Sequence, residues 1–99
     1  MPKFMMAYIP DGRKPEDRQD LMQRWQAWVH ANADALVEPQ NPLSNRKTID
    51  ENGVSDEGTL NMMGYSILYA DTQEAALAIV RTCPFLEIGA VELAQIKEM

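Results

Sequence analysis

Ninety-nine residues, 45% of them hydrophobic and 24% charged, have the composition of an ordinary globular chain, with room for one core and none for a second, so a single domain over residues 1–99 is expected. A net charge of −6 repels phosphate backbones and anionic lipid surfaces, which argues against nucleic acid and membranes as partners. One cysteine makes no internal disulfide, and the sequence has neither a signal-peptide pattern nor an apolar run near the ~20 residues of a membrane span, so a cytoplasmic protein is expected.

Residues 3–9 are apolar on both alternating sets: Phe4, Met6 and Tyr8 on one, Met5, Ala7 and Ile9 on the other. That pattern predicts a central strand in a sheet covered on both sides. Pro10, Asp11 and Gly12 then supply turn chemistry. Residues 15–36 predict a long helix, with Pro15 suited to its first position and Glu16 and Asp17 complementing the positive end of its dipole. Leu21, Met22, Trp25, Trp28, Val29 and Leu36 form a stripe expected to face the sheet, and Asn32 is the polar residue inside it. His30 and Asp34 fall on the opposite side.

Residues 38–60 are the least regular. Pro39 and Pro42 exclude a continuous helix, and residues 46–49 read as a short strand. Turn signals at 50–53 and 56–58 suggest a polar hairpin or lid at the sheet edge. Residues 65–69 are again apolar on both sets, Ser66 excepted, and predict a second central strand. Thr72 is placed to cap a helix over residues 71–83, with Ala76, Leu77, Ile79, Val80 and Cys83 as its buried face. Pro84 ends that helix, and residues 90–96 return as a strand.

Two β-α-β units in one small chain predict an α+β, ferredoxin-like βαββαβ protomer, its antiparallel sheet carrying both helices on one face. The other face would then expose large apolar side chains worth about 1.5–3 kcal/mol each when buried. A homodimer packed through its sheet faces under two-fold symmetry is therefore expected.

The candidate chemistry is sparse. Trp25 and Trp28, with the amide of Asn32 between them, suit a cleft holding a flat or apolar small molecule, although as plain core residues they also need no ligand. Tyr8, Tyr65 and Ser66 offer hydroxyls from the central strands, and Asn41 and Lys47 stand near the expected cleft mouth. Lys47 also suits the simple guarding of an edge strand. His30 and Asp34, spaced i, i+4, read first as a solvated surface pair. Cys83 at a helix C-terminus reads as a buried hydrophobe rather than a nucleophile. One histidine, one cysteine and no paired-ligand spacing make a metal site unexpected, and no cofactor is called for.

The run Gly64-Tyr65-Ser66-Ile67, the helix with Glu74-Ala75-Ala76, then Cys83-Pro84 and Val91-Glu92-Leu93 resemble the YCII-related proteins of the dimeric α+β barrel superfamily. The likeness extends upstream through Asp34, Asn41-Pro42, Lys47-Thr48 and Gly53-Val54. It implies a ferredoxin-like protomer, a face-to-face dimer and a cleft between sheet and long helix, in a family where most members lack an assigned reaction. Some members carry a His–Asp pair in the cleft, with the histidine early in the long helix; here the equivalent stretch, residues 21–25, contains none. The DGPF signature of another branch is absent, with Gly53-Val54-Ser55-Asp56 in that region. Cofactor-free monooxygenases, lactone isomerases and haem enzymes share the wider fold. The leading expectation is a small-molecule binder. The alternatives are a cofactor-free isomerase or monooxygenase acting on a small aromatic or lactone, with Asp56 as a candidate base, and a protein-interaction module.

Overall fold

The structure, a computed structural model, describes residues 1–56, 58 and 61–98. In chain order its elements are β1 (Lys3–Pro10), α1 (Arg18–Ala31), β2 (Leu36–Pro42), β3 (Thr48–Asp50), β4 (Gly53–Ser55), β5 (Gly64–Tyr69), α2 (Gln73–Val80), a 3-10 turn (Pro84–Glu87) and β6 (Gly89–Gln95). An antiparallel four-stranded sheet runs in the order β2-β5-β1-β6, and β3 pairs with β4 alone. This is the ferredoxin-like arrangement, with the two central strands being those apolar on both faces.

The register divides β1 cleanly. Phe4 stands opposite Leu68 and Met6 opposite Ser66, all four almost fully buried on the face that carries the helices. Trp28 and Leu36 join them from one side, and Ala76, Val80, Cys83 and Phe85 from the other. The alternate set, Met5 opposite Ile67 and Ala7 opposite Tyr65, points away from the helices.

Both ends of the long helix depart from the pattern reading. Helix α1 begins at Arg18 because the carboxylate of Asp17 accepts the Asp20 backbone N–H at 3.0 Å, which makes Asp17 the N-cap and leaves Pro15 outside. It ends at Ala31, not at residue 36. Asn32 is its C-cap, and Leu36 opens β2 opposite Leu68, so this leucine is buried by the sheet and not by a helical stripe.

The second strand of the main sheet is Leu36–Pro42, not residues 46–49. Two prolines are tolerated there because β2 is an edge strand with register shifts on either side of Glu38, so their missing N–H groups are not needed by a neighbour. Thr48–Asp50 instead forms a separate hairpin with Gly53–Ser55. Its turn is held by the Asn52 N–H on Asp50 Oδ1 at 2.8 Å, and by Gly53 at φ +128°, a conformation that disfavours any side chain. Glu57, Thr59 and Leu60, within the irregular segment expected to form the hairpin or lid, lie outside the described residues.

At the other end, Thr72 caps α2 by accepting the Ala75 N–H at 3.0 Å, and the helix stops at Val80, ahead of the expected Cys83. The strand that follows opens at Gly89, where a Cβ would lie 2.4 Å from the Ile9 carbonyl oxygen and 2.6 Å from the Phe85 ring. That close approach lets Phe85 pack edge-on to Tyr8, with centroids 5.1 Å apart.

Burial pushes the Cys83 thiol up to about 11 from its ordinary 9. The fold therefore favours the protonated thiol. That stabilisation is complete below about pH 9 and is lost as pH rises through 11. The stability of the protein relative to Cys83→Ala should accordingly fall by about 2–3 kcal/mol between pH 8.5 and 11, read from urea denaturation at each pH. A difference that stays flat over this range contradicts the burial account.

Candidate functional site

A cavity of about 570 Å³ lies where the start of α1 crosses the ends of β1, β2 and β5. Each element brings its part for a local reason. The α1 stripe supplies Leu21, Met22 and Trp25, and the edge strand β2 supplies Pro39 to Pro42. The 3-10 turn and the residue after it contribute Phe85 and Ile88. Gly64, beside Pro42 in the register, adds a bare backbone surface.

Three polar features interrupt this mostly apolar wall. The Tyr8 hydroxyl lies 2.6 Å from Ser66 Oγ, and the Ser66 hydroxyl donates to the Pro39 carbonyl oxygen at 2.6 Å. Burial raises the Tyr8 phenol above its ordinary pKa, and the Ser66 contact offsets part of that rise. Nδ2 of Asn41 is buried and meets no acceptor among the described residues. Lys14 and Arg18, both exposed, border the mouth, and neither forms an ion pair among the described residues. Lys14 also borders a smaller depression carrying Glu16, Asp17 and Asp20. There the Arg24 guanidinium joins Asp20 and Glu87, tying α1 to the 3-10 turn and holding the Glu87 carboxyl below its usual range.

The eight residues singled out in the sequence separate accordingly. Tyr8, Trp25, Asn41 and Tyr65 border the cavity, although strand alternation sets Tyr65 with Ala7 on the far face of the sheet. Ser66 stands behind Tyr8. Trp28 lies in the core, its indole N–H donating to Thr82 Oγ1 at 2.9 Å and to the Ile79 carbonyl at 3.3 Å. Asn32 closes the helix end, its amide donating to the Trp28 carbonyl at 2.8 Å. Lys47, just before the hairpin, forms an ion pair with Asp56, and neither is among the residues bordering the cavity. His30 and Asp34 are both exposed, and Asp34 follows the end of α1, so no helical i, i+4 pair forms. Lys14, Arg18, Phe85 and Ile88 were not singled out. In the sequence Lys14 and Arg18 are visible only as two cations on either side of a helix start.

Taken together, the split β-α-β topology and a cleft under the long helix define a ferredoxin-like α+β protomer. Among solved structures the chain is similar to 5-chloro-2-hydroxyhydroquinone dehydrochlorinase (TftG) from Burkholderia phenoliruptrix AC1100 in complex with 2,5-dihydroxybenzoquinone. The TM-score is 0.64 at 17% identity, over 98% of this chain and 95% of that one. At that identity the likeness is one of fold. No protein-family model matches the chain, and no curated protein matches it in sequence.

Proposed function

We propose that the protein binds a small, flat, oxygenated molecule in this cavity, and that it works as a cytoplasmic YCII-like homodimer joined through its sheet faces. The observation that carries the binding reading is the buried Asn41 amide. An unpaired buried N–H costs about 1–3 kcal/mol, which a ligand oxygen would recover once the amide turns toward the cavity. The cavity has the volume of a small-molecule site, and Trp25 and Phe85 give it aromatic walls suited to a ring. The TftG complex, with a small oxygenated ring bound in the same fold, is in keeping with this.

A thermal-shift screen against oxygenated aromatics, quinones and lactones tests it. A ligand at 100 times its dissociation constant should stabilise the fold by about 2.7 kcal/mol, raising Tm by several degrees. No shift from any compound retires the binding reading.

A second reading is favoured by the hydroxyls at the cavity wall and by the dehydrochlorinase activity named for the neighbour. Here the protein is a cofactor-free enzyme on a small aromatic or lactone, with Tyr8, held by Ser66, positioning a substrate hydroxyl. Turnover of a thermal-shift hit, lost in Tyr8→Phe, distinguishes enzyme from binder. The interaction-module alternative predicts a monomer in isolation, which sedimentation resolves.

A further inference from the structure

We infer that the cavity selects aromatic ligands carrying both a protonated hydroxyl and a separate anionic oxygen. The hydroxyl donates to Tyr8, and the anion is held by Asn41 and the cationic mouth. This rests on the binding reading above and adds the ligand's polar pattern to it.

A proton count fixes the direction of the hydroxyl chain. The Pro39 carbonyl has no proton to give, so Ser66 is the donor in their 2.6 Å contact. A serine hydroxyl holds a single hydrogen. The 2.6 Å contact between Tyr8 and Ser66 is therefore made with the Tyr8 proton. What Tyr8 can still offer the cavity is an acceptor lone pair. A ligand hydroxyl satisfies that oxygen. An ether or an anionic oxygen at the same point sets lone pair against lone pair.

The complementary half lies at Asn41 and the mouth. Asn41 Nδ2 is a buried donor without an acceptor, and Arg18 and Lys14 are cations without ion pairs among the described residues. Two such cations beside one opening stand out in a chain of net charge −6. Lys14 is shared with the acidic depression beside it, so Arg18 carries more of the attraction. An anionic carboxylate or phenolate suits both donor types, the amide once turned into the cavity and the cations at its mouth.

The test is a set of binding titrations, by calorimetry or Trp25 fluorescence, with benzoate, the three hydroxybenzoates, their methoxy counterparts and phenol. At least one hydroxybenzoate should bind about tenfold or more tightly than its methoxy analogue and than phenol. Tyr8→Phe should bring the hydroxy-to-methoxy ratio near one by weakening the hydroxy acid. Ser66→Ala frees the Tyr8 proton for the ligand, and should narrow the same ratio by strengthening the methoxy acid. Arg18→Ala should weaken the acids and leave phenol unchanged. Equal wild-type affinity for hydroxy and methoxy acids, or a preference that survives Tyr8→Phe, overturns the inference and leaves the binding reading standing. If none of these aromatics binds, and the thermal-shift screen is also silent, both fall. Should Ser66→Ala fail to fold, the wild-type ratio and the near-isosteric Tyr8→Phe decide alone.

Discussion

Trp28→Ala should cost the fold about 3–5 kcal/mol, whereas Trp25→Ala should cost clearly less and instead weaken ligand binding about tenfold or more. The two indoles are three residues apart on one helix and look interchangeable in the sequence. Their surroundings differ. Trp28 is 6% exposed, packed among core residues, with its N–H donated to Thr82 and Ile79. Truncating it opens a cavity and leaves the Ile79 carbonyl with one donor fewer. Trp25 packs on the core along one side and borders the cavity on the other, so solvent already reaches the space its removal would enlarge. Urea denaturation of both variants, with titration of any thermal-shift hit, measures the contrast. Equal losses of stability with unchanged affinity in Trp25→Ala would make both tryptophans plain core and leave the cavity without its aromatic wall.

The fold was legible because its central strands announce themselves. Residues 3–9 and 65–69 are apolar on both alternating sets, a pattern with few solutions in so short a chain, and they pair as β1 and β5. What misled was coincidence of period. Leu36 lies eleven residues after Trp25, close to three helical turns, so it continues the stripe although it belongs to a strand. No glycine or proline marks the stop at Asn32, whose capping role depends on its side chain turning back to the Trp28 carbonyl. Pro39 and Pro42 were correctly read as incompatible with a helix. They did not exclude an edge strand, and which strand lies at the edge is decided by tertiary pairing that local pattern does not carry.

The candidate site was only half legible, for a related reason. Helical periodicity says which residues face the sheet, but not where along the helix the core stops and an opening begins. The 3-10 turn sets that limit: Phe85 and Ile88 come from sixty residues downstream to face Trp25, while Trp28 is covered by Thr82 and Ile79. Arg18 and Lys14 read locally as ordinary helix-start residues. Their place at a mouth comes from β2 passing opposite. Asn41 was visible as a polar residue in an irregular segment, but its lack of a partner emerges only once the chain has folded around it.

The last prediction concerns the face of the sheet that the helices leave uncovered. Met5→Glu should convert the proposed dimer to monomers while leaving the protomer folded. Met5 lies mid-strand between Ile67 and Ala94 on that face, with Ala7, Tyr65 and Tyr69 nearby in the register. The protomer is broad and thin, 45 × 41 × 17 Å, and its radius of gyration of 14.9 Å exceeds the ~13 Å of a compact chain this long. A two-layer plate of this kind, apolar on its open side, gains by meeting its own copy, since each large side chain buried adds about 1.5–3 kcal/mol. A carboxylate at the centre of that contact is taken out of water twice, once from each protomer, at a cost of several kcal/mol per ion. The dimer dissociation constant should then rise by roughly two orders of magnitude or more. In the monomer the same glutamate is wetted, so far-UV circular dichroism should not change. Sedimentation velocity at tens of micromolar separates the outcomes. A wild-type monomer would mean that the apolar face serves another partner, and a Met5→Glu dimer would place self-association on a different surface.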